Sequence, residues 1–468
     1  MLPSFTDSIF YHIYPLGMCG APARNDFTMP AGTGLAWLRE RVAHLEYLGV
    51  TAVYIGPLFE STSHGYDTVD YYHVDRRLGT NGDLASLVRA FHERGIRVIL
   101  DAVLNHTGRD FFAFRDIQRN GPSSEYRHWY TGIDFSKKSP KGDNFGYEGW
   151  SGHYDLVKLD TSNPEVRDHL FGAVSQWIRE YDIDGLRLDA ADVLAPEFMD
   201  ELSQRCAAQK EGFWLMGEVV HGDYRNWARA GRLDSVTNYE LYKGLWSSFN
   251  DRNFFEIAWS LNRQSGPDGM YRHLSLYTFL DNHDVNRVAS VLTVKDHIFA
   301  LYGLLFTAPG IPSIYYGSEW GIRGERTPST DADLRPAIKE TAEHGVHSGV
   351  PAQCLPVVDS GRLEEFIRVM ISIRKGHSAL RDGDYRQIHV ASEQFAFLRA
   401  DGRERVLVAV NSADKGVTLH LHVGDIGGER RQWLDAFDER TAVNCEHGIL
   451  RPEVPANGIR ILCCVTGR

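Results

Sequence analysis

The sequence predicts an α/β fold: a (β/α)8 TIM barrel, with a loop domain inserted after the third strand and a C-terminal antiparallel β-sandwich. Three observations predict it. Eight short apolar, β-branched runs alternate with stretches of helical periodicity through most of the chain. One gap between a strand and the next helix is far longer than a bare connection. Past the last of these helices the pattern changes to alternating strands separated by Gly, Asp and Asn.

The strand runs fall at 9–14, 51–55, 97–100, 185–188, 213–216, 235–239, 274–280 and 311–316. Leu35, Leu38, Val42, Leu45 and Leu48 line one face of the first helix. Leu84, Leu87, Val88 and Phe91 do so for the second, and Val166, Leu170, Val174, Trp177 and Ile178 for the third. About 60 residues, rich in Gly, Ser, Asn and aromatics, separate Asp101 from Pro164. They read as an insertion at the open face of the barrel. The stretch 298–316 is nearly uncharged and as long as a membrane span. Pro309, Gly310 and Pro312 divide it into a buried helix, a turn and a buried strand. The barrel is therefore placed at 1–106 and 164–380, the inserted domain at 107–163 and the C-terminal domain at 381–468.

Composition narrows the function classes. The chain has 468 residues, 43% apolar and 24% charged, enough to bury a core without disulfides or metals. The charge sum is −12, from 50 Lys and Arg against 62 Asp and Glu, with no long basic run. Nucleic acid is not an expected partner. Trp and Tyr are plentiful, which suits stacking on the apolar faces of sugar rings. The six cysteines form no CxxC pair and no Cys/His cluster, so buried reduced thiols are expected. Residues 1–14 show no basic start followed by an apolar core. A cytoplasmic protein without a membrane segment is the expectation, and the oligomeric state is left open.

Barrel chemistry gathers where strands end. The third strand ends in Asp101-Ala-Val-Leu-Asn105-His106, the fourth in Gly185-Leu-Arg187-Leu-Asp189, the fifth in Gly217-Glu218 and the seventh in Asp281-Asn-His283-Asp284. One Asp at a strand end is usually a turn former, and one His a satisfied structural imidazole. Acids recurring at four strand ends are a different matter, because gathering carboxylates at one rim is costly without a task. Two carboxylates about 5 Å apart are the machinery of retaining glycoside hydrolysis. Arg187 lies two residues before Asp189 on the same strand face and would keep it ionised. Glu218 would need a raised pKa to act as the acid, and the charge of Asp284 would help supply it.

With these motifs in view, the chain resembles the α-amylase family of retaining glycoside hydrolases over nearly its whole length. Supporting matches are Gly56-Pro57-Leu58, His64-Gly65-Tyr66-Asp67 and the run from Gly310 to Glu319. The resemblance implies Asp189 as nucleophile, Glu218 as acid/base and Asp284 as a third carboxylate that grips sugar hydroxyls. It implies that Tyr66 stacks on the sugar being cleaved. It implies too that His106, Arg187 and His283 hydrogen-bond that sugar or hold the nucleophile. Arg335, in Asp331-Ala-Asp333-Leu-Arg335, matches a family loop that approaches the non-reducing side of the cleft. Trp150, Trp320 and His221 are further candidates, each equally explained by packing or loop support.

Three departures qualify the resemblance. Secreted members carry Lys-His shortly after the nucleophile, and the cyclomaltodextrinase, neopullulanase and maltogenic amylase branch carries Asn-Glu. This chain has Asp192 and Val193 there, the expected contacts to the leaving-group sugar. Calcium-binding members have Asp at the position of Lys158, whose ammonium cannot ligate a cation. The branch also has Lys there, so no cofactor is expected and no calcium at that site, although Asn105 remains. The chain begins almost directly at the first strand, so the branch's N-terminal dimerisation domain is not expected.

The expected activity is hydrolysis of α-1,4-glucosidic bonds in maltodextrins and cyclodextrins, with an α-glucan oligosaccharide as the partner. Val193 offers an acceptor sugar few hydrogen bonds, which leans toward hydrolysis over transfer. The alternatives are an amylase-family glucanotransferase, an α-glucosidase acting on sucrose-like or α-1,6 bonds, or a non-catalytic glucan-binding protein. The last typically lacks one of the three carboxylates. A metal-dependent barrel hydrolase fits less well, since no His-x-His pair follows the first strand.

Overall fold

Eight parallel strands form the barrel in the computed structural model, which describes residues 4–328, 330–338, 340–342, 345–348, 350–424 and 432–465. The strands are β1 (Phe10–Ile13), β2 (Ala52–Ile55), β3 (Arg97–Ala102), β4 (Gly185–Leu188), β5 (Trp214–Gly217), β6 (Ser235–Val236), β7 (Tyr277–Phe279) and β8 (Ile311–Tyr315). Their order in the sheet is β6-β5-β4-β3-β2-β1-β8-β7. A parallel bridge between Thr237 and Tyr277 joins the two ends and closes the barrel. Each strand coincides with one of the predicted runs. β6 and β7 are shorter than their apolar runs, because a helix already begins at Tyr239 and only 277–279 of the seventh run pairs as a strand.

The interior is filled by inward side chains such as Phe10, Tyr54, Ile99, Trp214, Met216 and Tyr277, all buried. The larger core lies outside the strands, under the helices. Asn81–His92 is fixed at its start by a reciprocal capping box between Thr80 and Asp83. Pro164–Tyr181 begins with Pro after an Asn163 cap, and its Trp177 stacks on Phe59 with ring centroids 4.2 Å apart. One expectation is corrected. The first helix is two, Gly34–Glu40 and Val42–Leu48, meeting at Arg41. The apolar face runs unbroken through the joint, so periodicity could not reveal it. The uncharged stretch resolves into the buried helix His297–Thr307 and then β8. No helix among the described residues is long and apolar enough to cross a membrane.

The insertion has structure of its own. His106–Gly108 pairs with His153–Lys158, which pairs in turn with Gly149–Trp150, and the helix Phe112–Asn120 packs beside them. The C-terminal domain is an eight-stranded antiparallel sheet, with a two-stranded pair, Val417–Thr418 and Glu453–Val454, beside it. Its central strands are apolar on both faces. Phe395, Phe397, Val406, Val408 and Val410 join the barrel's core. Ala396, Leu398, Leu407 and Ala409 join a separate core around Trp433. Cys463 and Cys464 face opposite sides of the last strand in the same way.

Two motif glycines have steric reasons. A Cβ on Gly185 would lie 2.3 Å from the carbonyl oxygen of Trp214, and one on Gly217 would lie 2.6 Å from Leu233. Gly185→Ala therefore separates β4 from β5. It is expected to cost at least the ~1–3 kcal/mol typical of overpacking, read as a lower melting temperature, with activity falling further because β4 carries the site.

Candidate active site

Four strand ends and their loops meet at the C-terminal rim. β4 lies at the centre, with Arg187 in register with Asp101 on β3 and Met216 on β5. Arg187 Nη1 donates to Asp101 Oδ1 at 2.8 Å and to Asp189 Oδ1 at 2.9 Å. Its Nη2 lies 2.9 Å from Oε2 of Glu218, the residue after β5. One guanidinium thus contacts three carboxylates. Asp101 and Asp189 are buried, and the Glu218 side chain is 14% exposed. Tyr54 and Tyr66 both donate to Asp101 Oδ2, at 2.6 and 3.0 Å, so Asp101 is spent on holding the floor. His12 stacks on Tyr54 and meets the edge of His283.

The chain turns sharply after Asp189. Ala190 has φ 46°, in the left-handed region, a conformation that costs a non-glycine residue about 1–2 kcal/mol. The turn aims the Ala190 N–H at Glu218 Oε2, 3.1 Å away. Asp284 is set by a different device. Asn282 Oδ1 accepts from the Asp284 and Val285 N–H groups, and its Nδ2 donates to the Tyr239 hydroxyl. Asp281 stays structural, accepting from the Val288 N–H and the Ser318 hydroxyl.

Two nitrogen-bearing side chains face Asp284. His283 Nε2 lies 2.8 Å from one of its oxygens and Arg335 Nη2 3.1 Å from the other. Arg335 is itself positioned by the His283 carbonyl at 3.0 Å and by the Tyr14 ring, whose centre is 4.7 Å from the guanidinium carbon. His106 Nε2 approaches Asp189 Oδ2 to 4.0 Å, and this buried nitrogen has no hydrogen-bond partner among the described residues.

These groups open on a cleft of about 800 Å³. Asp189, Glu218, Asp284, Tyr66, His106 and Arg335 line it, as does Trp150. Arg187 and His283 lie buried beneath the surface. Asp192 and Val193 are exposed on the turn Ala191–Val193 and are not among the lining residues. Trp320 is buried against His44, away from the cleft, and His221 is exposed. Sequence reasoning missed several walls. Tyr54, beneath the cleft, could have been found, since it faces inward from β2, while Asp101 opens a motif the sequence already shows. Arg326, Thr327, Pro328 and Thr330 lie outside helices and strands, where no periodic signal marks them, and His153 opens the short strand His153–Lys158 of the inserted domain.

Electrostatics differ sharply between the three lining carboxylates. Burial pushes Glu218 above its ordinary pKa, and the charge of Asp284 adds to this, while Arg187 opposes it. Burial also raises Asp189, opposed by Arg187 and reinforced by the charges of Glu218 and Asp101. One guanidinium shared among three carboxylates leaves Asp189 and Glu218 both above the ordinary carboxylate range. For Asp284 burial is outweighed, and His283 and Arg335 hold it below the usual carboxylate range. Burial takes the His106 imidazole down to about 3.

Lys158 Nζ lies 3.6 Å from Glu148 Oε2. Asn105 turns its side-chain nitrogen to His106 Nδ1 at 3.2 Å. Among the described residues no group of three or more His, Cys, Asp or Glu side chains is arranged to hold a metal ion.

The model of a family described as "Alpha amylase, catalytic domain" matches residues 22–351. A cyclomaltodextrinase from Bacillus sp is 32% identical over 452 residues, spanning 90% of this chain and 76% of that protein. Neopullulanase 2 from Thermoactinomyces vulgaris is 31% identical over 458 residues, spanning 92% and 73%. Among solved structures, the cyclic α-maltosyl-(1→6)-maltose hydrolase of Arthrobacter globiformis is similar with a TM-score of 0.78 at 26% identity, covering 99% of both chains.

The His106 shift carries a pH prediction. The unfolded chain protonates this imidazole near its ordinary value of 6.5, and the folded chain near 3. Between those values the unfolded state binds more protons, so stability rises with pH and is lost as pH falls from the upper value toward the lower. His106→Gln should flatten the dependence of unfolding free energy on pH across that window, as measured by urea unfolding at a series of pH values.

Proposed function

Since the chain belongs to the α-amylase family and is a glycosidase, we propose that it hydrolyses α-1,4-glucosidic bonds of maltodextrins and cyclodextrins with retention of the anomeric configuration. The observation that carries this reading is the Arg187 bridge between Asp189 and Glu218. It holds both carboxylates on one guanidinium, which suits the gap of about 5–5.5 Å used in direct attack better than the wider one that admits a water.

Asp189 attacks the anomeric carbon as the carboxylate, with Arg187 Nη1 donating to its Oδ1, and the charge of Asp284 favours the proton on Glu218. Glu218 keeps the shared proton and gives it to the leaving oxygen. It then takes a proton from the water that releases the sugar ester. Asp284, ionised by His283 and Arg335, accepts hydrogen bonds from ring hydroxyls that strengthen as the ring distorts. Tyr66, His106 and Trp150 wall the reacting sugar, with His106 neutral and free to hydrogen-bond a hydroxyl. Arg335 lies on the glycone side with Asp284, and Asp192 and Val193 flank the leaving-group side. The lysine at 158 leaves no role for calcium at the family position, so the enzyme works without a cofactor there. A cytoplasmic setting is supported by six free cysteines and by the 32% identity to a Bacillus subtilis protein named intracellular maltogenic amylase.

A second reading is cleavage of α-1,6 bonds. It is favoured by the name of the Arthrobacter globiformis enzyme and by a debranching enzyme from Nostoc punctiforme, with a TM-score of 0.80 at 28% identity. Products from maltotriose, β-cyclodextrin, pullulan and sucrose separate the two readings.

Asp189→Ala should abolish release of reducing sugar from maltodextrin, and Glu218→Gln should lower kcat by about 10²–10⁴-fold. Proton NMR of the first product should show the α-anomer, and a β-anomer would refute the mechanism. Dialysis against a calcium chelator should change neither the melting temperature nor the activity.

A further inference from the structure

The two charge systems of the site meet over one side chain, His12, the third residue of β1. It is 2% exposed. In the sheet it pairs with Tyr54 on β2 and with Tyr315 on β8. The three rings form one tier of the barrel. His12 stacks on Tyr54 with centroids 4.1 Å apart and leans on Tyr315 at 4.9 Å. Each tyrosine ends in one half of the site. Tyr54 donates to Asp101, the partner of Arg187. Tyr315 donates to the carbonyl of Leu334, the residue before Arg335.

His283 rests on the middle of this tier. Its ring meets that of His12 at 5.2 Å and 88°, edge to face. The rings of Tyr14 and Tyr66 lie nearly parallel to it, at 16° and 14°. Nε2 of His283 serves both the Tyr66 hydroxyl and Asp284. Nδ1 is buried with no hydrogen-bond partner among the described residues, and so is Nε2 of His12. Hydrogen bonds thus hold His283 at one nitrogen alone. Its tilt is set by the rings around it, and of these His12 is the one placed across its plane.

A side chain at this place must fill the tier without bringing charge. Guanidiniums already flank it: Arg187 lies 5.8 Å from the centre of the Tyr54 ring and Arg287 4.3 Å from that of Tyr315. A further cation between them would supply the buried carboxylates with a partner they lack. Burial drives His12 well below the ordinary imidazole pKa. His283, Arg187 and Arg287 push it the same way, and Asp284 opposes them. His12 therefore stays neutral and acts through its shape. We propose that His12 is a positioning residue, a neutral ring that holds His283 against Asp284 and so keeps Asp284 in place beside the acid. The proposal rests on the reading of Glu218 as the acid of glycoside hydrolysis. The link to that acid is the charge of Asp284, which helps to raise the Glu218 carboxyl.

The test follows maltodextrin hydrolysis against pH for the parent chain, His12→Ala and His12→Phe. His12→Ala opens space beside His283, so Asp284 loses its hold and its charge supports the proton on Glu218 less. Its kcat is expected to fall by up to about 10²-fold, the loss that a ~1 Å misplacement produces. The alkaline limb of its kcat profile is expected to move to lower pH. His12→Phe restores a neutral ring and should return the limb toward its parental place. An unmoved limb in His12→Ala, or a folded His12→Phe no better than His12→Ala, would overturn the proposal and leave the hydrolytic reading standing. If neither variant folds, nitrogen NMR of the parent's histidines decides. His12 should stay neutral across about pH 5–8, where an ordinary imidazole titrates, and titration there would overturn the proposal. A parent chain that releases no sugar from maltodextrin would overturn both readings.

Discussion

The site is organised by a shortage of positive charge. Arg187 is the common partner of Asp101, Asp189 and Glu218, and only the barrel's strand order makes that sharing possible. β3, β4 and β5 are neighbours in the sheet, so a side chain on the middle strand reaches the residues on either side at one level. Burial with one shared guanidinium leaves Asp189 and Glu218 above the ordinary carboxylate range. The deficit keeps a proton on the catalytic pair at pH values where isolated carboxylates have lost theirs. A second cation at this point would erase that property.

Asp284 shows the opposite arrangement a few ångströms away. Its two oxygens meet His283 and Arg335, which hold it below the usual carboxylate range. Its charge then helps to keep Glu218 protonated. Two carboxylates of similar chemistry are driven in different directions by their immediate company, which separates acid from anion without any change of residue type. The scaffolding is equally specific. Asn282 directs Asp284, Ala190 accepts a strained turn to reach Glu218, and Asp101 is used up in anchoring Tyr54 and Tyr66.

Much of this was legible in the sequence, for identifiable reasons. Buried parallel strands leave apolar runs, and all eight runs became strands. The carboxylates stand at strand ends, so finding the strands found the acids. What periodicity could not see was the break at Arg41, because the spacing of Leu38 and Val42 keeps the apolar stripe continuous across it. Loops were the other blind spot. The cleft walls at Arg326, Thr327, Pro328 and Thr330 obey no period. Asp192 and Val193 were drawn in by their sequence distance from Asp189, yet the turn exposes them beside the cleft lining rather than within it.

The C-terminal sheet carries a lesson for protein engineering. Its inner side is sealed by the barrel's own helices: His297 reaches Asn457 and the Ser412 carbonyl, and Arg399 reaches the Thr307 carbonyl. Cutting the chain after the last barrel helix would strip a hydrophobic flank bare. Chimeras that exchange this region between relatives would inherit mismatched seams unless the crossover carries His297–Thr307 along with it.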